Sequence, residues 1–123
     1  NLMCVMDALI LCRFSQVGKA VNVTNHLEWL NLITDWGIDV TEYMKVGERL
    51  FNLKRMYNCR LGVSRKDDFL PYRFLTLDRK GEDLNNQLPP LGRLLSDYYA
   101  YRGWSEEGIP TPQKLKELGL DKL

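Results

Sequence analysis

Asp7 and Cys12 both stand in "LMCVMDALILCRF", residues 2–14, a run that otherwise reads as core. A carboxylate accepts hydrogen bonds and pairs with cations, and a thiolate is a nucleophile and a metal ligand. The two are five positions apart. On a helix that spacing separates them by about 140°, and on a strand it sends them to opposite faces. For both to serve one ligand, a helix must end or bend between them. The alternative is structural: Cys12 packs as a small buried hydrophobe, as free cysteines commonly do, and Asp7 caps a neighbouring helix.

The other reactive side chains narrow the chemistry. Cys4, Cys12 and Cys59 are an odd number with no C-x-x-C pair. This argues against a secreted disulfide framework and for a reducing, cytoplasmic setting. The chain cannot build a four-thiolate metal site alone, so further ligands of any such site must come from elsewhere. His26, the single histidine, falls in the first turn of an expected helix without partners at a metal-ligand spacing, and is read as surface or capping. There is no H-E-x-x-H, no Gly-rich phosphate loop and no Ser–His–Asp arrangement. In "RLGVSRKDD", Arg60, Arg65 and Lys66 sit beside Asp67 and Asp68, which lower the field an anion would feel. That cluster is expected to anchor a loop.

A formal net charge of +1 gives no electrostatic footprint for nucleic acid. The apolar run, broken by Asp7, is shorter than the roughly 20 residues of a membrane span. It has neither a basic leader nor a small-residue cleavage site. The chain starts at Asn1 without an initiator methionine, and is read as an internal piece of a longer polypeptide.

The elements that must position Asp7 and Cys12 are helical. "NHLEWLNLITDW", 25–36, has Leu27, Leu30 and Ile33 on one stripe, widened by Trp29, Leu32 and Trp36, with Asn25 and Glu28 at capping-box spacing and Gly37 at the end. A second helix is expected from Thr41 to about Cys59, capped by Thr41, with Met44, Val46, Leu50, Leu53 and Tyr57 on its apolar face. Gly47 inside it costs about 1 kcal/mol relative to alanine, which points to another backbone passing close by. Residues 61–90 lose periodicity and are expected to be one long ordered loop, with at most a short hairpin at "DRKG". A third helix follows Pro90 in "LGRLLSDYYAYRGW". The last, "TPQKLKELGL", starts at Thr111 and Pro112 and stops at Gly119. The fold class is all-α: an irregular multi-helix domain with one long ordered loop.

Two long stretches, "GERLFNLKRMYNCRLGVSRKDDFLPYRF" (47–74) and "LLSDYYAYRGWSEEGIPTPQKLKELGL" (94–120), make the chain similar over essentially its whole length to the C-terminal domain of the tungsten-containing aldehyde:ferredoxin oxidoreductase family. The resemblance implies that residues 1–123 are the C-terminal helical piece of a larger multidomain enzyme. In that family a D-x-x-G-L-C segment binds the pterin cofactor and the iron–sulfur cluster, and "DALILC" matches it through Asp7, Leu11 and Cys12. By that resemblance Asp7 accepts hydrogen bonds from the N–H donors of one pterin, and Cys12 is the fourth thiolate of a 4Fe–4S cluster. The other three thiolates belong to a C-x-x-C-x-x-x-C segment upstream. Ile10 stands where the family has glycine. A β-branched residue fits positive φ poorly, so a differently built turn or a looser cofactor contact is expected.

The resemblance further implies a tungsten (or molybdenum) bis-pyranopterin centre in the full-length protein, oxidising aldehydes to carboxylates with electrons passed to ferredoxin. It places no catalytic residue in this chain, so the fragment alone is expected to be inactive. Its partners are the N-terminal domains of the same polypeptide. Cut out alone, the apolar run would be uncovered and drive dimerisation or aggregation. The competing reading is a cofactor-free helical scaffold or interaction domain that keeps the family fold.

Overall fold

In the computed structural model, residues 1–16, 21–76 and 88–123 are described. Among them are six α-helices: α1 (Leu2–Ala8), α2 (Val23–Thr34), α3 (Val40–Arg60), α4 (Tyr72–Thr76), α5 (Leu91–Arg102) and α6 (Pro112–Glu117). Two 3₁₀ turns, Arg13–Gln16 and Arg65–Asp67, join them. The extended pairing in these residues is one isolated bridge between Trp104 and Pro110. The all-α expectation holds. None of the helices is long and apolar enough to cross a membrane. The expected "DRKG" hairpin lies outside the described residues.

The chain divides into two compact units. The first comprises Asn1–Arg55 and Leu115–Leu123. Its buried side chains are Val5, Met6, His26, Tyr43, Asn52, Leu118 and Leu120. The capping of α2 falls three residues before the expected site: Asn22 Oδ1 accepts the Asn25 N–H and Asn25 Oδ1 accepts the Asn22 N–H, so two orphan donors are satisfied reciprocally. The helix stops before Gly37, because Asp35 already turns left-handed at φ 55°. Asn31 then clips the following loop through both the N–H and the carbonyl of Ile38.

Burial along α2 departs from the expected stripe. Leu27 and Leu30 are half-buried, whereas Ile33 is 83% exposed and Trp29, Leu32 and Trp36 lie open beside it. His26, expected at the surface, is 3% exposed and packs on the Trp29 ring at 5.9 Å between centroids. An imidazole one turn into an amphipathic helix lies on whichever face its angle dictates, and here that face is inward.

In α3 the cap is Asp39, whose Oδ1 accepts the Glu42 N–H at 2.8 Å, and not Thr41. The buried line runs through Tyr43 and Gly47, one turn apart, while Leu53 and Tyr57 are exposed. Arg49 Nε donates to the Leu118 carbonyl at 2.8 Å. That bond ties the C-terminal segment to α3 and leads Leu118 and Leu120 into the core.

The second unit, Met56–Lys114, is organised around Tyr99 and Trp104, both buried. Their rings lie 5.9 Å apart, with Tyr98 edge-on to Trp104 at 5.8 Å. The 61–90 stretch is not featureless, since Arg65–Asp67 and α4 interrupt it. Arg65 anchors it: Nη1 donates to the carbonyl and carboxylate of Glu106, and Nη2 to the Gly92 carbonyl and Ser96 Oγ. The guanidinium also stacks over Tyr99 at 5.4 Å. This is the loop anchor expected of the basic–acidic cluster. Cys59 is half-buried, its thiol facing the Gly108 carbonyl at 4.0 Å.

Candidate cofactor site

The first helix is held by its start. A Cβ on Gly47 would overlap the carbonyl oxygen and carbon of Asn1, so the glycine retained inside α3 is what lets α1 lie against it. Val5 and Met6 turn inward from this seat and are buried. Part of the apolar run expected to lie open is therefore covered within its own unit. Asp7, next in sequence, faces outward with its side chain 66% exposed. Its carboxylate Oδ2 lies 3.7 Å from Lys54 Nζ.

α1 then ends between Asp7 and Cys12, as one shared ligand would require. The Leu11 N–H donates to the Met6 carbonyl at 2.9 Å and the Ile10 N–H to the Asp7 carbonyl at 3.2 Å. That pair of bonds is the Schellman ending, whose penultimate residue is left-handed and usually glycine. Here it is Ile10, at φ 57°. The turn has the left-handed conformation that glycine favours, here adopted by an isoleucine. The Ile10 side chain is 92% exposed. Leu11, half-buried, supplies the N–H that closes the turn.

Cys12 emerges directly after this turn as an exposed free thiol. The reading of Cys12 as a buried hydrophobe does not hold, nor does that of Asp7 as a cap, since its carboxylate meets the Lys54 ammonium. The Cys12 carbonyl accepts the Ser15 N–H at 3.0 Å, which opens the 3₁₀ turn Arg13–Gln16. The Ser15 hydroxyl is buried there with no hydrogen-bond partner. Cys4, on α1, is half-buried.

The donor set limits what can be held. Among the described residues, no three His, Cys, Asp or Glu side chains come together as a metal site. One accessible thiol and one accessible carboxylate, on either side of a single helix-ending turn, fit one ligand of a shared cluster and one acceptor for a neutral N–H edge. They do not fit a complete metal site. Of the expected site residues, Asp7, Leu11 and Cys12 flank or form one helix-ending turn; the contact of Asp7 with Lys54 was not anticipated from the sequence. Gly47 was the signal for Lys54: a helix seated at that glycine has a fixed register along α3.

The family model described as "Aldehyde ferredoxin oxidoreductase, domains 2 & 3" matches residues 1–120, and the chain belongs to that family. It is 35% identical to the tungsten-containing aldehyde ferredoxin oxidoreductase of Pyrococcus horikoshii and 33% identical to that of Pyrococcus abyssi, in each case over the whole of this chain and 20% of the relative. The Pyrococcus furiosus protein of the same name is 32% identical over 98% of the chain. The chain thus spans about a fifth of the length of these relatives.

Proposed function

We propose that residues 1–123 are the C-terminal helical part of a tungstopterin, iron–sulfur oxidoreductase that converts aldehydes to carboxylates and passes electrons to ferredoxin. The observation that carries this reading is the left-handed turn at Ile10, which keeps a glycine-type backbone between an exposed acid and an exposed thiol. In this reading the Asp7 carboxylate accepts two parallel N–H donors from the edge of one pterin, a geometry a carboxylate suits. Cys12 is the fourth thiolate of a 4Fe–4S cluster, and Leu11 holds the turn that separates the two. When bound, the tungsten (or molybdenum) bis-pyranopterin and the cluster supply a two-electron oxidation of aldehyde plus water to carboxylate, with one-electron steps onward. This chain's residues hold and orient those groups and exclude water from them. No catalytic residue is assigned to it, and the isolated chain is inactive.

The N-terminal domains of the same polypeptide supply the remaining ligands and cover the open apolar side chains Ile10, Phe14, Trp29, Leu32, Ile33 and Trp36. In their absence those side chains drive self-association, with a homodimer as its simplest product. The setting is cytoplasmic, in keeping with three free thiols.

The test is metal analysis of the full-length protein purified without oxygen. About four irons with tungsten per chain, falling in Cys12→Ser, is the expected result for a cubane cluster with one ligand from this chain. The second reading, a cofactor-free scaffold, is favoured by Ile10, a β-branched residue held at φ 57° in the place of the family's glycine. It requires well-folded full-length protein with neither metal, and no effect of Cys12→Ser on iron.

A further inference from the structure

Lys54 lies on α3, a helix remote in sequence from the D-x-x-x-L-C segment, yet its ammonium is 3.7 Å from the Asp7 carboxylate. The approach follows from how α1 is seated. Asn1 lies against Gly47 and Asp7 against Lys54, so the contact advances six residues along α1 and seven along α3. At 1.5 Å per residue those are about 9 and 10 Å. The two helices therefore run side by side in the same direction over this stretch, and the register that Gly47 imposes delivers Lys54 to Asp7. As an exposed pair, with side chains 61% and 66% accessible, it contributes little to the fold. Fold stability gives little reason for it.

The surroundings of Asp7 give a better one. The carboxylate stands in an apolar run, beside an Ile10 side chain left almost fully open. Once such a surface is covered, a carboxylate without a counter-charge is costly to desolvate. A pterin edge offers neutral N–H donors, which satisfy hydrogen bonds but bring no positive charge. We infer that Lys54 is the positioning residue of the proposed pterin site: its ammonium draws Asp7 Oδ2 to one side and supplies the counter-charge that offsets the cost of covering the carboxylate. A carboxylate has lone pairs enough for the ammonium and for two further donors. The inference rests on the reading of Asp7 as a pterin acceptor, and extends it to a residue outside the motif.

The experiment uses the full-length protein, with pterin and iron counted per chain after gel filtration. Lys54→Met removes the charge and keeps the apolar stem; Lys54→Arg keeps the charge; Asp7→Asn removes the negative charge and replaces one of the two acceptor oxygens with a donor. The expected result is about ten-fold weaker pterin retention in Lys54→Met, the size seen when the partner of a ligating group is lost. Lys54→Arg is expected to restore retention, and iron to stay at the wild-type level in both, because Cys12 is untouched. Iron content thereby separates loss of the pterin from loss of the fold. Pterin loss in Asp7→Asn with full retention in Lys54→Met overturns the role of Lys54 and leaves Asp7 standing. Full retention in both variants overturns the reading of Asp7 itself. Loss in Lys54→Met that arginine does not restore overturns the counter-charge argument.

Discussion

The two units solve the same local problems at different cost. In the second unit α5 ends with the Gly103 N–H on the Ala100 carbonyl and the Trp104 N–H on the Tyr99 carbonyl, with Gly103 left-handed at φ 69°. In the first unit α1 ends with the same pair of bonds and the same hand, but on an isoleucine. The second unit's buried hydroxyl, Tyr99 Oη, donates to Asp68, and the Arg65 fork is fully occupied. The first unit buries the Tyr43 and Ser15 hydroxyls without partners. Among the described residues, both non-glycine residues at positive φ, Ile10 and Asp35, belong to it as well. Left-handed non-glycine residues and orphaned hydroxyls each cost about 1–3 kcal/mol. Among the described residues, these costs gather in the unit that carries Asp7 and Cys12, which is where a site completed by other groups is expected to leave them.

The largest effect should come from dismantling the second unit's solution. Arg65→Met removes four charge-assisted hydrogen bonds and a stacking contact, and should cost about 3 kcal/mol in urea unfolding. A loss under about 0.5 kcal/mol would mean that the fork is redundant and the contrast between the units is overstated. Next comes Gly103→Ile, which copies the first unit's choice into the second. A Cβ there meets Lys114 Cε at 2.7 Å, a flexible chain end, so the backbone should dominate the cost of about 2 kcal/mol. If that substitution is neutral, the left-handed turn tolerates isoleucine without strain, and Ile10 loses its significance.

What was legible in the sequence follows the same division. The α6 start at Thr111 and Pro112 and its stop at Gly119 are written in residues with one local preference each, and the structure keeps them. Gly47 announced a close backbone because a glycine inside a helix has few other reasons to be there. What could not be read was which side of a helix faces inward when both sides are apolar. In α2 His26 is buried while Ile33, Leu32 and Trp36 are open, because the inward face is chosen by tertiary packing and not by the width of the apolar stripe. The partner of Asp7 was hidden for a related reason. Lys54 meets it only through a packing register, 47 residues away in sequence.

Smaller effects probe the first unit directly. Ile10→Gly should relieve the left-handed strain but enlarge the unfolded ensemble, which offsets part of the gain and leaves about 0.5–1 kcal/mol of stabilisation. Destabilisation would mean that the Ile10 side chain makes compensating contacts, and the apparent cost at the site would vanish.

The smallest effect expected is at Tyr43. Burial pushes its phenol pKa above the usual value of 10.0, and its hydroxyl has no partner. Because the folded value is raised, the unfolded chain releases this proton first as pH climbs. The group's contribution to stability is whole below the unfolded value near 10 and is lost as pH rises through the folded one. Tyr43→Phe should therefore be neutral to slightly stabilising at pH 7, by up to about 1 kcal/mol, since an orphaned donor is removed with little change of shape. Its advantage over the wild type should widen above pH 10. Urea unfolding at pH 7 and again above pH 10 checks both halves. A loss of stability at neutral pH would show that the hydroxyl has a partner, such as a buried water, and would remove one of the costs that set the first unit apart.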